Sequence, residues 1–141
     1  MQGVQFGDKH SYTDWGLILT EAPAVSPPKV KTNYVDILGA DGSLDLTGRL
    51  TGTVLYEMRD ITCKFTLMAS RDTWADMYST ILNHLHGKAL NITLDKDPGY
   101  YYTGRAEVSK WNEGNTAVEV IIKAKVAPYK ISRTESGRKV L

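Results

Sequence analysis

The stretches Ile61-Thr62-Cys63-Lys64-Phe65-Thr66-Leu67 and Val118-Glu119-Val120-Ile121-Ile122-Lys123-Ala124-Lys125-Val126 decide the fold. Successive side chains of a strand point to opposite faces. In the first stretch Ile61, Cys63, Phe65 and Leu67 share one face and the polar residues the other, the pattern of a half-buried antiparallel strand. The second repeats it, with Val118, Val120, Ile122, Ala124 and Val126 opposite Glu119, Lys123 and Lys125. Ile121 breaks the alternation, an outward apolar side chain available to a partner.

Working outward, weaker strand signals fall at Lys29 to Leu38, Gly52 to Met58, Ala89 to Leu94 and Tyr100 to Lys110, each bounded by Gly, Pro, Asn or Asp. Gly39-Ala40-Asp41-Gly42 supplies positive φ and Asp97-Pro98-Gly99 suits a tight turn. Asn112-Glu113-Gly114-Asn115 closes a hairpin between the Tyr100 and Val118 strands. One helix interrupts them at about 73–86: Trp74, Met77, Tyr78, Ile81 and Leu85 form one apolar stripe. Asp72 is placed as its N-cap, Asp76 adds negative charge to the first turn, and Gly87 sits where a left-handed C-terminal residue is expected. The fold class is therefore mainly β with one helix (α+β), its strands in adjacent antiparallel pairs.

Two segments lack periodicity. Thr20 to Pro28 carries three prolines and reads as an extended arm or linker crossing the domain surface. Residues 130–141 are mostly polar and read as a loose tail or the start of a connection, so the domain is expected to span 1–129.

The 141 residues suit one domain; a chain of that length buries roughly 68–70% of its unfolded surface. Basic side chains number 17 and acidic ones 16, which excludes a strongly basic nucleic-acid binder. The 42% hydrophobic and 23% charged fractions argue against a wholly disordered chain. No apolar run approaches the roughly 18–20 residues of a bilayer span, so no membrane partner is expected. The start lacks the charged and apolar regions of a secretory signal, which predicts maturation in the cytoplasm or export by another route. A single cysteine, Cys63, excludes an internal disulfide and a cysteine cage.

Chemistry is sparse. His84 and His86 lie about 200° apart around the helix, unsuited to one metal ion, and instead complement the helix C-terminus. His10 stands alone near Asp8 and Asp14. No G-x-S-x-G elbow and no phosphate-binding glycine motif occurs. Cys63, on an inward face, reads as an inert thiol. Asp41 with Asp45, and Asp95 with Asp97, read as turn residues rather than catalytic pairs. Tyr100-Tyr101-Tyr102 with Trp111 is the best aromatic cluster; alternation sends Tyr101 the opposite way from its neighbours, so core and interface packing is favoured over a stacking platform. No catalytic residue, metal or cofactor is expected. By elimination, the chain binds or assembles.

One succession of motifs is more specific. Gln5-Phe6-Gly7-Asp8-Lys9-His10-Ser11 leads to Trp15-Gly16-Leu17-Ile18-Leu19 and Pro27-Pro28-Lys29-Val30-Lys31. Then come Val35-Asp36-Ile37-Leu38-Gly39-Ala40-Asp41-Gly42-Ser43-Leu44-Asp45-Leu46-Thr47 and Tyr56-Glu57-Met58-Arg59-Asp60-Ile61-Thr62. This order, from about Val4 to Ala127-Pro128-Tyr129, resembles the N-terminal domain of the distal tail proteins (Dit) of long-tailed, siphovirus-type bacteriophages. The resemblance implies an antiparallel β-sandwich with a flanking helix, related to phage tail-tube proteins. It also implies a non-enzymatic virion protein, made in the host cytoplasm and placed at the distal end of the tail. There it forms a homohexameric ring that joins the tail tube protein to a hub or fibre protein, with DNA passing through the lumen. Much of the family carries a second domain after the proline-tyrosine segment; here 12 residues follow Tyr129.

A ring closed by rotation joins two different patches of each copy. The segment Gly39 to Gly52, with Gly39, Asp41, Gly42, Leu44, Leu46 and Leu50, is expected to project as a hairpin or loop ordered by a neighbour, and Ile121 is a further contact. The Pro-rich arm around Ala22 to Pro28 is a second candidate. Arg59 is expected to anchor a turn by pairing with Asp36, Asp45 or Asp60. The net charge of +1 hides a division: residues 123–141 hold six basic and one acidic side chains, leaving 11 and 15 in residues 1–122. An acidic body suits a bore that must release DNA, and the basic end is a candidate contact for an acidic partner. A tail-tube subunit and a carbohydrate-binding module using Trp111 and the tyrosines remain alternatives, and a small flavin-binding barrel is a third.

Overall fold

The two stretches that decide the fold lie side by side in the computed structural model, which describes residues 2–49 and 52–141. In chain order the strands are β1 (Val4–Phe6), β2 (Lys9–His10), β3 (Leu17–Leu19), β4 (Ala24–Val25), β5 (Tyr34–Asp36), β6 (Ser43–Asp45) and β7 (Arg59–Leu67). After the helix α1 (Trp74–Leu85) come β8 (Ala89–Leu94), β9 (Tyr100–Glu113), β10 (Val118–Val126), β11 (Lys130–Ser132) and β12 (Lys139–Val140). β7 and β10 pair in full register, Val118 opposite Leu67 through Val126 opposite Arg59.

The main sheet runs β2-β1-β8-β9-β10-β7-β3 and every pairing in it is antiparallel. β2 and β3 stand at opposite ends of that path, yet only Ser11–Gly16 separates them in sequence. Six residues reach about 20 Å even when extended, so the sheet must curl until its ends approach. Phe6 stacks on Trp15 across the closure, ring centroids 6.1 Å apart. Ser11, fully buried, accepts the Val4 N–H on its hydroxyl at 2.9 Å.

Inside the curl lie the inward sets of β7 and β10, all buried as their alternation predicts. Each large apolar side chain there contributes about 1.5–3 kcal/mol by leaving water. The helix covers the remaining opening. Trp74, Ile81 and Leu85 are buried, Met77 packs against the core, and Tyr78 meets Trp111 edge-on at 5.0 Å. Gly87 ends the helix at φ 75°, and its N–H donates to Ala106 O on β9 at 2.7 Å.

Several expectations are corrected. Asp72 does not cap the helix: it lies in a 3-10 turn, Arg71–Thr73, and Thr73 holds the N-cap position without a side-chain cap bond. The strands expected at Lys29 to Leu38 and Gly52 to Met58 shrink to β5 and one bridge, Val30 with Tyr56, because these segments pair away from the main sheet. Residues 130–141 are not a loose tail. β11 takes over from β10 along β9, Ile131 opposite Tyr101, and pairs with β12. Lys130 binds the Asp97 carboxylate, Arg133 reaches the Thr93 hydroxyl, and buried Ser132 accepts the Glu135 N–H at 3.1 Å. The Pro-rich segment does cross the surface, as β4 on the edge of β7. Pro27 and Pro28, lacking N–H groups, then end the pairing.

Candidate subunit-contact arm

Between β4 and β7 the chain leaves the sheet as a long hairpin. At its base Val30 bridges Tyr56, Lys31 N–H donates to Leu55 O at 2.8 Å, and Tyr56 packs edge-on against Tyr129 at 6.0 Å. Midway, Leu46 N–H donates to Asn33 O at 2.7 Å. At the tip β5 and β6 form a two-stranded sheet of their own, Val35 opposite Leu44. Gly39 and Gly42, at φ 83° and 70°, make the reversal, a conformation other residues adopt at a cost. Part of the segment expected over Gly39 to Gly52 is in a hairpin that begins earlier, at Tyr34, while Leu50 and Thr51 lie outside the described residues.

One face of the arm carries Val35 and Leu44, the other Tyr34 with Asp36, Ser43 and Asp45, and the apolar side chains of both are exposed. Tyr34, Val35, Ile37 and Leu44 are exposed, and Leu38 is wholly so at 103%. Of the candidate contact residues, Gly39, Asp41, Gly42 and Leu44 lie exposed, Leu46 is half-buried, and Leu50 lies outside the described residues. Tyr34, Val35, Ile37 and Leu38 were missed. Their signal is apolar side chains at both parities of Tyr34-Val35-Asp36-Ile37-Leu38, which no single buried face explains. Asp36, Asp41 and Asp45 give residues 32–48 three acids and no base. Asp36 accepts the Ser43 hydroxyl, and hydrogen bonds from Thr47 hold the Asp45 carboxyl below its ordinary range.

Ile121 lies apart from the arm, half-buried on the outer face of the sheet between Lys64 and Lys110. A bulge in β9 beside it leaves Ser109 without a register partner, and the Ser109 hydroxyl donates to Ile121 O at 3.2 Å. Arg59 is buried, as expected of an anchor, but its partners are corrected. It pairs with none of Asp36, Asp45 or Asp60; Nε donates to Ser26 O at 2.9 Å and Nη1 to Pro128 O at 3.1 Å, with Tyr102 beneath the guanidinium. At the start of β7, the inward parity takes it to backbone carbonyls rather than to surface carboxylates.

The histidines are structural. His10 accepts the Tyr12 and Thr13 N–H groups on Nδ1 and donates from Nε2 to Asp95 at 2.8 Å, fastening β2 to the end of β8. His84 donates Nε2–H to Phe6 O at 2.7 Å and meets Trp15 edge-on, and His86 accepts the Val108 N–H at 3.1 Å. They thus tie the helix end to the sheet, a role beyond the expected charge complement. Among the described residues no three His, Cys, Asp or Glu side chains cluster as a metal site. Burial pushes the Cys63 thiol up to about 12. The tyrosines part company: Tyr102 is in the core, Tyr100 lies under Lys130 and Tyr101 under Arg133.

No protein-family model matches the sequence, and no curated protein matches it. Among solved structures the fold is that of the Dit protein (gp 19.1) of phage SPP1, described as a paradigm of the hub adsorption apparatus of phages infecting Gram-positive bacteria. The TM-score is 0.73 at 17% identity, over 94% of this chain and 52% of that one, so this chain spans about half of its structural relative. The likeness bears out the expected fold.

Proposed function

We propose that this protein is a structural component of a phage tail tip, a distal tail protein that assembles into a ring, hexameric by its resemblance to that family. In this reading the ring joins the tail tube protein to a hub or fibre protein and lets DNA pass without holding it. It performs no catalysis. The observation that carries the reading is the arm: it leaves a fold shared with a hub adsorption protein and exposes apolar side chains that its own sheet does not cover. A ring formed by rotation needs such a projecting patch on each copy and a different acceptor on the next.

Mass measurement in solution with negative-stain imaging tests it. Closed single rings, or rings paired back to back, are expected at high protein concentration. Long polymers would make the chain a tail-tube subunit instead. A strict monomer at high concentration, alone and with tail partners, would overturn assembly.

A further inference from the structure

We infer that the Asp41-Gly42 bond at the tip of the arm is a self-modification site, where aspartate converts to isoaspartate through a succinimide. The inference does not depend on the ring. Asp41-Gly42 is the one Asp-Gly pair in the sequence, and Asn-Gly does not occur. It falls in residues 37–42, the loop that lies outside the β5–β6 pairing, between Asp36 and Ser43. Both residues are exposed, and nothing lies within 4 Å of where a Gly42 side chain would stand. The other acids of the arm are held: Asp36 accepts the Ser43 hydroxyl, and Asp45 accepts the Thr47 N–H at 2.9 Å. Among the described residues no hydrogen bond or ion pair holds the Asp41 carboxyl.

The chemistry needs no reactant but water. The Gly42 nitrogen attacks Cγ of Asp41 in its carboxylic acid form. The N–Cγ bond forms, and the N–H proton leaves with the carboxyl hydroxyl as water. A second water opens the ring at either carbonyl. Breaking the new N–Cγ bond restores aspartate. Breaking the original bond to the Asp41 carbonyl carbon leaves the chain running through Cγ, with Cβ in the main chain and the α-carboxylate free. Glycine favours the attack because no Cβ blocks the close approach of its backbone, and an exposed loop tip has the freedom to make it. Every other Asp and Asn precedes a residue with a side chain, and Asp97 precedes proline, which has no N–H. The product lengthens the loop between β5 and β6 by one main-chain atom, beside the exposed Ile37, Leu38 and Leu44.

Ageing of the full chain tests it. The folded protein is kept warm at neutral pH for several weeks, sampled with an isoaspartate methyltransferase and labelled methyl donor, and then digested with trypsin. Methyl acceptance should rise with time and reside in the peptide 32–49, and electron-transfer fragmentation should place it at Asp41 rather than Asp36 or Asp45. Asp41→Glu should reduce acceptance in that peptide to background, since the larger imide ring closes far more slowly. The substituted side chain is exposed, so folding should be unchanged. The synthetic peptide 32–49 gives the rate of the unrestrained bond. No acceptance in the folded chain while the peptide accumulates it would overturn the inference. So would isoaspartate appearing first at another position, or an unchanged yield in Asp41→Glu.

Discussion

The Arg59 guanidinium holds the Ser26 carbonyl at 2.9 Å, tying the Pro-rich edge segment to the first residue of β7. Its second bond, to Pro128 O, joins that segment to the turn after β10. With the Ser26 hydroxyl accepting the Asp60 N–H at 3.0 Å, the arm springs from a fixed base. Arg59→Ala leaves both carbonyls short of a buried donor, and hydrogen bonds to charged groups are worth about 1.5–3 kcal/mol each. Urea unfolding should show a loss of about 3 kcal/mol. Arg59→Lys should recover less than half, since one ammonium cannot reproduce the fork. A loss below about 1 kcal/mol in Arg59→Ala would show the bonds to be replaceable by water.

Gly104 sits on β9 between Leu90 and Val126, and a Cβ there would lie 2.1 Å from the Lys125 carbonyl oxygen. Backbone cannot yield as a side-chain tip does. Gly104→Ala should therefore cost about 3 kcal/mol or more, at the severe end for a point change. Gly16→Ala is the control: its left-handed φ of 68° meets open space, so only about 1 kcal/mol of conformational cost is expected. Equal midpoints for the two in denaturant would contradict the close approach of β9 to β10.

Cys63 should resist thiol reagents until the protein unfolds, because burial keeps it protonated with its value raised from 9.0 to about 12. The raised value also sets a pH dependence. Between pH 9 and 12 the folded thiol keeps its proton while the unfolded one releases it, so stability falls as pH rises through that window. The fall approaches about 1.4 kcal/mol per pH unit. Cys63→Ala should be less stable at neutral pH, with a shallower decline above pH 9. Parallel declines in the two proteins would remove the thiol as the cause.

What the sequence made legible followed from burial. β7 and β10 carry their pairing in period-2 alternation, and the helix in its stripe, because one face of each leaves water. Segments whose stability comes from a single neighbour were harder to read. Residues 130–141 look polar, yet Lys130, Ser132 and Arg133 fix them through bonds to Asp97, to their own turn and to Thr93, none visible as a hydrophobic period. Arg59 was recognised as an anchor but not its carbonyl partners, since backbone acceptors leave no mark in composition. In the arm, the glycines announced a projection, while the apolar residues before them resembled an ordinary strand.

The arm separates folding from assembly. Leu38 is fully exposed and Ile37 is half so, and among the described residues the arm's tip strands pair only with each other. Replacing both by serine removes no core contact, so unfolding free energy should change by less than about 0.5 kcal/mol. If the arm is the contact, those residues are buried between copies, and losing two such side chains should cost about 3–5 kcal/mol per interface. That is at least a hundredfold in the dissociation constant at each contact, summed around a closed ring. Sedimentation at high protein concentration should show Ile37→Ser with Leu38→Ser as a monomer under conditions where the unaltered chain forms rings. Rings that persist in the variant would mean that assembly proceeds through another surface, the Pro-rich edge or the face around Ile121, and that the arm serves a different partner.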